Sequence, residues 1–305
     1  MRFILGCAQL GLKYGINNHN QFSYSKSLKL LEEILSNKTI SYIDTAREYG
    51  RSEEIIGKAL KLSKRNIPNQ IKVMTKISPL QEGNNINDPS LYLKLKKSIT
   101  KSFKELGLTE IYSISFHRYE DWLIQDQDII NYLLELKKNG NVKKIGVSIS
   151  RPDQLQALMD CSYIDSIQLP YNFLDSRWDK AISENQSKIK SKEIIVRSVF
   201  LQGLIFSNDL NDWKKANVNS PTECLEKIGG IKKKFKIDSI AELAIRYAIS
   251  CKWINGIVIG VDSYDQFNIN MKSFNKNKFS DNELNYINEN RPKLSYETLN
   301  PENWK

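Results

Sequence analysis

Asp44 and Tyr49 in YIDTAREYG, Lys76 in KVMTKIS and His117 in YSISFHR stand at or just behind the ends of three successive apolar runs. The four side-chain types are complementary for delivering a proton. A tyrosine with its ordinary pKa of ~10 is a poor acid near neutrality. A close ammonium favours the phenolate and so lowers that pKa. A carboxylate holds the ammonium in place and keeps it charged, and a neutral imidazole donates a hydrogen bond to an oxygen set beside it. Such a set suits the reduction of a carbonyl, whose oxygen needs a proton as it becomes an alcohol. Taken singly, each residue has a plainer reading: Asp44 as a cap, Lys76 as exposed charge, Tyr49 as the edge of a core, His117 as structural. Their joint occurrence on successive run ends favours chemistry.

For the four to meet, the elements that carry them must end on one mouth. Eight short runs rich in Ile, Val, Tyr and Phe read as strands: Phe3–Leu10, Ser41–Thr45, Ile71–Lys76, Ile111–His117, Lys144–Ser148, Ser166–Leu169, Ile194–Val199 and Gly256–Gly260. Between them lie amphipathic helical patterns at Ser27–Asn37, Ser52–Leu62, Tyr92–Leu106, Ile129–Lys138, Asp153–Met159 and Ser239–Ser250. Pro152-Asp153 and Asp238-Ser239 read as helix starts, Gly107 and Gly140 as stops. Eight βα alternations predict a parallel sheet. A single (β/α)8 barrel of TIM type is expected rather than an open doubly wound sheet. No G-x-G-x-x-G follows the first run, and polar residues recur at the C-terminal ends of the strands, where barrel sites are built. The 305 residues suit one barrel over 1–290 and an irregular tail over 291–305 that could lie over it. The longest interval, Leu201 to Asn255, holds a polar loop near Asn208–Pro221 and two helical patterns.

Composition narrows the class. Hydrophobic residues make up 40% and charged residues 26% of the chain, a globular balance. No apolar run approaches the ~20 residues that span a bilayer, and the stretch behind Arg2 lacks the features of a signal peptide. Cys7, Cys161, Cys224 and Cys251 are widely spaced and form no CxxC pair, which argues against zinc or a disulfide framework. A reducing cytoplasm is expected, with Cys7, Cys161 and Cys251 as small buried residues. The net charge of +10 is spread over many helical patterns. The clusters Lys137-Lys138 and Lys232-Lys233-Lys234 read as solvated faces, so nucleic acid is not the expected partner. A small anionic molecule is a milder use of the charge. Nothing in the sequence speaks to oligomeric state.

The ordered motifs resemble those of the aldo-keto reductase superfamily. D-T-A-x-x-Y-G from Asp44 to Gly50, then Ser52-Glu53 and Gly57, is similar to the family's second strand and following helix. Thr75-Lys76 resembles the third strand and His117 the fourth. Gly146-Val147-Ser148 resembles the fifth, and Gln168 with Pro170-Tyr171-Asn172 the sixth. Arg197-Ser198 and Leu201-Gln202-Gly203-Leu204 resemble the seventh strand and its loop. Gly260-Val261-Asp262-Ser263, Gln266 and Asn270 resemble the eighth strand region. The resemblance implies metal-free hydride transfer from nicotinamide C4 of NADPH to an aldehyde or ketone. Tyr49 would be the general acid, Lys76 would tune it, Asp44 would pair with Lys76, and His117 would orient the carbonyl. The implied cofactor set is Ser148 and Gln168 at the carboxamide with Asn172, then Ser198, Leu201 and Gly203 over the pyrophosphate. Gly260, Ser263, Gln266 and Asn270 complete it at the phosphate and adenosine end.

Plainer roles stand beside these: Gln168 and Asn172 as partners of backbone groups, Gly203 as a turn. The sequence departs from the family in two places. Arg118-Tyr119 follows His117 where x-Pro-Asp is frequent. Gly260, Asp262 and Gln266 stand where Lys or Arg often holds a 2′-phosphate, which leaves NADH as the alternative cofactor. RSVFLQGL is similar to bacterial members associated with polysaccharide or sugar-nucleotide gene sets, so a sugar-like carbonyl is one expectation. A cofactor-binding barrel that regulates a partner protein is the competing reading, and the intact set of four favours catalysis. A phosphate-binding lyase or isomerase barrel would need a glycine-rich phosphate site, which Gly260 alone does not supply.

Overall fold

The strands are β1 (Arg2–Gly6), β2 (Tyr42–Asp44), β3 (Lys72–Lys76), β4 (Ile111–Phe116), β5 (Val142–Ser148), β6 (Ser166–Pro170), β7 (Glu193–Arg197) and β8 (Gly256–Gly260). In the computed structural model, which describes residues 1–16, 22–36, 39–63, 71–81 and 88–304, they form a closed parallel barrel in chain order. Closure is made by β8 against β1, in register from Arg2↔Gly256 to Gly6↔Gly260. The strands are short and mostly buried because helices cover one face and the barrel interior the other. β4, for example, is buried at every position. Successive side chains alternate between the two faces. Ile4, Met74, Tyr112 and Ile195 pack together as one small cluster. Phe3, Leu5, Ile43, Val73 and Ile194 join the larger core shared with the helices.

The boundaries depart from the sequence reading in informative places. β1 was expected to run to Leu10 but ends at Gly6, and Ala8–Gly11 forms a helical turn. That turn docks the chain against the loop after β2: a Cβ at Gly11 would fall 1.8 Å from the Tyr49 carbonyl oxygen. The stretch still reads as apolar because Cys7, Ala8 and Leu10 are buried in the turn as they would be in a strand. β7 was expected to run to Val199 but stops at Arg197, because Ser198 takes a left-handed φ of 59°. β4 ends one residue before His117, and β5 begins two residues earlier than expected, at Val142.

The helices fall near their patterns: Tyr24–Ser36, Ser52–Leu62, Leu91–Leu106, Gln127–Lys138, Leu155–Asp160 and Ile240–Ser250. Ser239 caps the last by accepting from Glu242 N, and Gly107 closes the third at φ 65°. The polar loop near 208–221 holds a further short helix, Leu210–Lys215. The tail, expected to be irregular, carries two short turns, Tyr296–Leu299 and Pro301–Asn303. It is anchored by Arg291, which donates to Asp179, to Tyr247 Oη and to the Phe173 carbonyl. Cys161 is half-buried rather than buried, whereas Cys224 is buried. Asn37, His19 and most of the 80–89 loop lie outside the described residues. Among the described residues no helix is long and apolar enough to cross a membrane.

Candidate active site

The loop after β2 is fixed from below before any site residue is reached. Its backbone follows β3, with Thr45 N donating to Met74 O at 2.9 Å and Arg47 N to Lys76 O at 3.0 Å. The Arg47 guanidinium is buried and bridges Glu53 and Glu105, and Glu53 also accepts from Thr75 Oγ1 at 2.6 Å. Thr45 Oγ1 donates to Ser52 Oγ, which donates to the Cys7 carbonyl, each at 2.9 Å. Gly57 lets the Ser52–Leu62 helix approach its neighbour, since a Cβ there would lie 2.1 Å from Glu105 O. The residues between Asp44 and Glu53 are thus held by a buried, fully paired network, the condition under which such networks rigidify a site.

On that platform the four candidate residues come together. Lys76 Nζ donates to Asp44 Oδ1 at 2.9 Å, to Asp44 Oδ2 at 2.7 Å and to the Thr45 carbonyl at 3.0 Å. Both charged side chains are almost wholly buried. The ammonium stands 5.2 Å from the centroid of the Tyr49 ring, and His117 packs edge-on to the same ring at 5.8 Å. Burial disfavours the ammonium, but the Asp44 carboxylate outweighs it through charge and hydrogen bonding, so the Lys76 pKa lies above its ordinary value. Burial acts on His117 in the same sense and nothing opposes it. With the charges of Lys76, Arg197 and Arg118 added, its pKa falls to about 3, so the imidazole is neutral. Gln168 Nε2 donates to Asp44 Oδ1 at 2.8 Å, reaching across from β6.

A cavity of about 620 Å³ opens above this group, lined by Asp44 and Tyr49 at one end and by Asp262, Gln266 and Asn270 at the other. One wall is the segment after β7. Ser198, Leu201, Gln202 and Gly203 all have positive φ, so the backbone turns repeatedly through the region that glycine alone adopts without cost. The segment is joined to the loop after β1 by Ile16 N, which donates to Gln202 O at 3.0 Å.

The expected cofactor residues fall into two groups. Ser198, Gly203, Gly260, Gln266 and Asn270 line the cavity. Ser148 and Gln168 are buried neighbours in the β5–β6 register, and Gln168 lies one hydrogen bond behind Asp44. Asn172 is occupied with backbone, donating to Ser198 O at 3.3 Å and accepting from Leu174 N at 3.0 Å. Ser263 caps the Tyr264–Phe274 helix, accepting from Gln266 N, and the Leu201 side chain is buried in the core. Trp122 and Trp178 are both core. The cavity also holds Tyr14, Lys26, Arg197 and Phe200, which the sequence reading did not place in the site. Arg197 lay inside a quoted motif, but Tyr14 and Lys26 come from the region after β1, where no pattern marked them.

The residues present fit a nicotinamide nucleotide. Two buried polar atoms at the reacting end, Gln168 Oε1 and His117 Nδ1, have no hydrogen-bond partner. Asp44, ionised against Lys76, can only accept, so the Gln168 amide must face it with nitrogen and keep its oxygen free. Buried polar atoms left open in this way call for an explanation, and a ligand is one.

A parallel eight-stranded barrel carries a buried carboxylate–ammonium pair, a tyrosine and a neutral histidine together at its mouth. The chain belongs to the aldo/keto reductase family, whose model matches residues 2–291. It is similar to the uncharacterized oxidoreductase YqkF of Bacillus subtilis, 23% identical over 293 residues, spanning 92% of this chain and 89% of that one. It is also similar to the NADH-specific methylglyoxal reductase of Escherichia coli, 29% identical over 150 residues, 45% of each chain. Among solved structures, the holo form of an aldo-keto reductase from Bacillus halodurans shares the fold with a TM-score of 0.73 at 22% identity, covering 97% of this chain and 93% of that one. The chain is therefore an oxidoreductase of a carbonyl-reducing family that uses nicotinamide cofactors.

Proposed function

We propose that the protein reduces a small aldehyde or ketone, sugar-like carbonyls included, to an alcohol with NADPH, and that Tyr49 is the general acid. The observation that carries this reading is the buried Asp44–Lys76 ion pair set beside the Tyr49 ring, with His117 held neutral against its edge. A reduced nicotinamide, if held in the cavity, would be the source of hydride for the carbonyl carbon. Tyr49 then gives its phenolic proton to the carbonyl oxygen, and the Lys76 ammonium stabilises the phenolate left behind. Asp44 keeps Lys76 charged and seated. His117, neutral, donates a hydrogen bond to the same oxygen and fixes its position. Gln168 offers its free Oε1 to an amide donor, and the segment from Ser198 to Gly203 covers phosphate groups.

NADPH is supported over NADH by Lys26, whose charge shares the cavity with Asp262, Gln266 and Asn270. A 2′-phosphate is best held by such a cation. Asp262 works against it in the same place. The reading includes a cytoplasmic setting, resting on four widely spaced cysteines with no CxxC pair. The test is NADPH oxidation by the purified protein against a panel of aldehydes, ketones and keto-sugars. Cofactor binding without oxidation of NADPH or NADH by any member of the panel would overturn the enzyme in favour of a binding barrel.

A further inference from the structure

Most arginines drawn into this protein hold a carboxylate. Arg47 pairs with Glu53 and Glu105, Arg177 with Asp175, Arg246 with Glu242 and Arg291 with Asp179. Arg197 does not. It is the last residue of β7, half-buried in the cavity wall, and among the described residues it makes no ion pair. Its two hydrogen bonds, to Ser198 Oγ at 3.5 Å and to Ile149 O at 3.4 Å, are much longer than the ~2.7–2.9 Å of a strong charged contact. A partly desolvated guanidinium without a counter-charge is unfavourable, and it becomes favourable once an anion arrives.

The position of this charge says which anion. Arg197 ends β7 and reaches across to the Ile149 carbonyl, one residue past the Ser148 that pairs with Gln168, and its charge is felt at Lys76 and His117, so it stands at the reacting end of the cavity. Lys26, by contrast, acts on Asp262 at the far end. Tyr14 shares the cavity wall with it and interacts with both Arg197 and Ser198. Burial, with Tyr49 and Asp44 nearby, keeps the Tyr14 phenol protonated and able to donate. A planar guanidinium beside a phenol is a set of donors with no acceptor charge among them, suited to the oxygens of a carboxylate or a phosphate.

We propose that Arg197, with Tyr14, receives an anionic group on the substrate, so that the preferred substrate is a carbonyl compound bearing a carboxylate or phosphate close to the reacting carbon. This rests on the reductase reading given above and names its substrate class.

The test uses matched pairs: propanal against succinic semialdehyde, and glyceraldehyde against glyceraldehyde 3-phosphate. In the wild type, kcat/KM for at least one anionic member exceeds that of its neutral counterpart by about 10- to 100-fold, the range of a hydrogen bond to a charged group. Which pair shows the larger ratio separates carboxylate from phosphate. In Arg197→Met the ratio collapses towards one, and Arg197→Lys restores part of it. Cofactor affinity is read in parallel by fluorescence quenching. A wild-type ratio near one overturns the proposal, as does an Arg197→Met variant that loses cofactor affinity while keeping the ratio. If no aldehyde of either kind is reduced, the reductase reading fails. Calorimetric titration with succinate and with inorganic phosphate then reads the anion site without turnover. Binding that Arg197→Met abolishes supports the site, and absence of binding overturns it.

Discussion

Gln168 donates its amide nitrogen to Asp44 Oδ1 at 2.8 Å, and its own oxygen is buried with no partner. The pair ties the floor of β6 to the carboxylate of β2, so one side chain serves both the ion pair and whatever binds above it. Gln168→Leu removes both contacts. Cofactor affinity, read by fluorescence quenching, should fall by about tenfold, the worth of one ordinary hydrogen bond. An unchanged dissociation constant removes Gln168 from the cofactor set.

Tyr49→Phe keeps the ring that packs on His117 and removes only the hydroxyl. Cofactor binding and thermal stability should hold, while kcat drops by about 10²–10⁴-fold, the usual contribution of a general acid. Wild-type-like turnover sinks the assignment.

Removing one half of the Asp44–Lys76 pair strands the other in a buried site. Lys76→Met and Asp44→Asn should each destabilise the fold by roughly 3–5 kcal/mol, the typical cost of an unpaired buried charge. The double variant Asp44→Asn/Lys76→Met should regain much of that stability and none of the activity. Thermal melts and steady-state rates on the same three proteins separate the structural role of the pair from its catalytic one.

His117 gives the protein a defined acid sensitivity. Its pKa is depressed from the ordinary 6.5 to about 3, so between these values the unfolded chain binds a proton that the folded chain refuses. The stability due to the neutral imidazole is complete above 6.5 and is lost as pH falls from there towards 3. The melting temperature of the wild type should therefore fall more steeply on acidification than that of His117→Gln. The pH–rate profile should show no inflection from this residue between 6 and 7. Equal slopes for the two proteins contradict a depressed pKa.

Lys26 and Asp262 pull in opposite directions on a 2′-phosphate. Lys26→Met should weaken NADPH by about tenfold, as loss of a charged contact does, and leave NADH nearly unchanged. Titrations at low and moderate salt check this, because the charge effect shrinks as salt screens it. If the wild type binds NADH more tightly and Asp262→Arg reverses the order, NADPH is not the preferred cofactor.

The strands and the chemical residues were legible because both leave periodic or compositional traces. Ile111–Phe116 is apolar throughout since it is buried on both faces, and Asp44, Lys76 and His117 mark the points where such runs give way to polar ends. β1 was read four residues too long because Cys7, Ala8 and Leu10 are as buried in a tight turn as they would be in a strand. The turn that follows the strand is seated by the close approach of Gly11 to Tyr49, residues distant in sequence. The wall from Ser198 to Gly203 was visible as a motif but not as a run of left-handed backbone, since Ser, Leu and Gln carry no signal for positive φ. Tyr14 enters the site from the loop after β1 and Lys26 from the first turn of the Tyr24–Ser36 helix, and no local pattern marks either.

The register that closes the barrel sets Arg2 beside Gly256 and Gly6 beside Gly260. The first of the eight strands to leave a ribosome therefore waits for the last before its second edge is covered. Until about residue 260 has emerged, β1 presents one row of open backbone donors and acceptors, the feature that templates unwanted pairing. Loop-closure entropy over so long a span must be overcome before the final five pairings return anything. Folding of this chain should thus end, rather than begin, at β1.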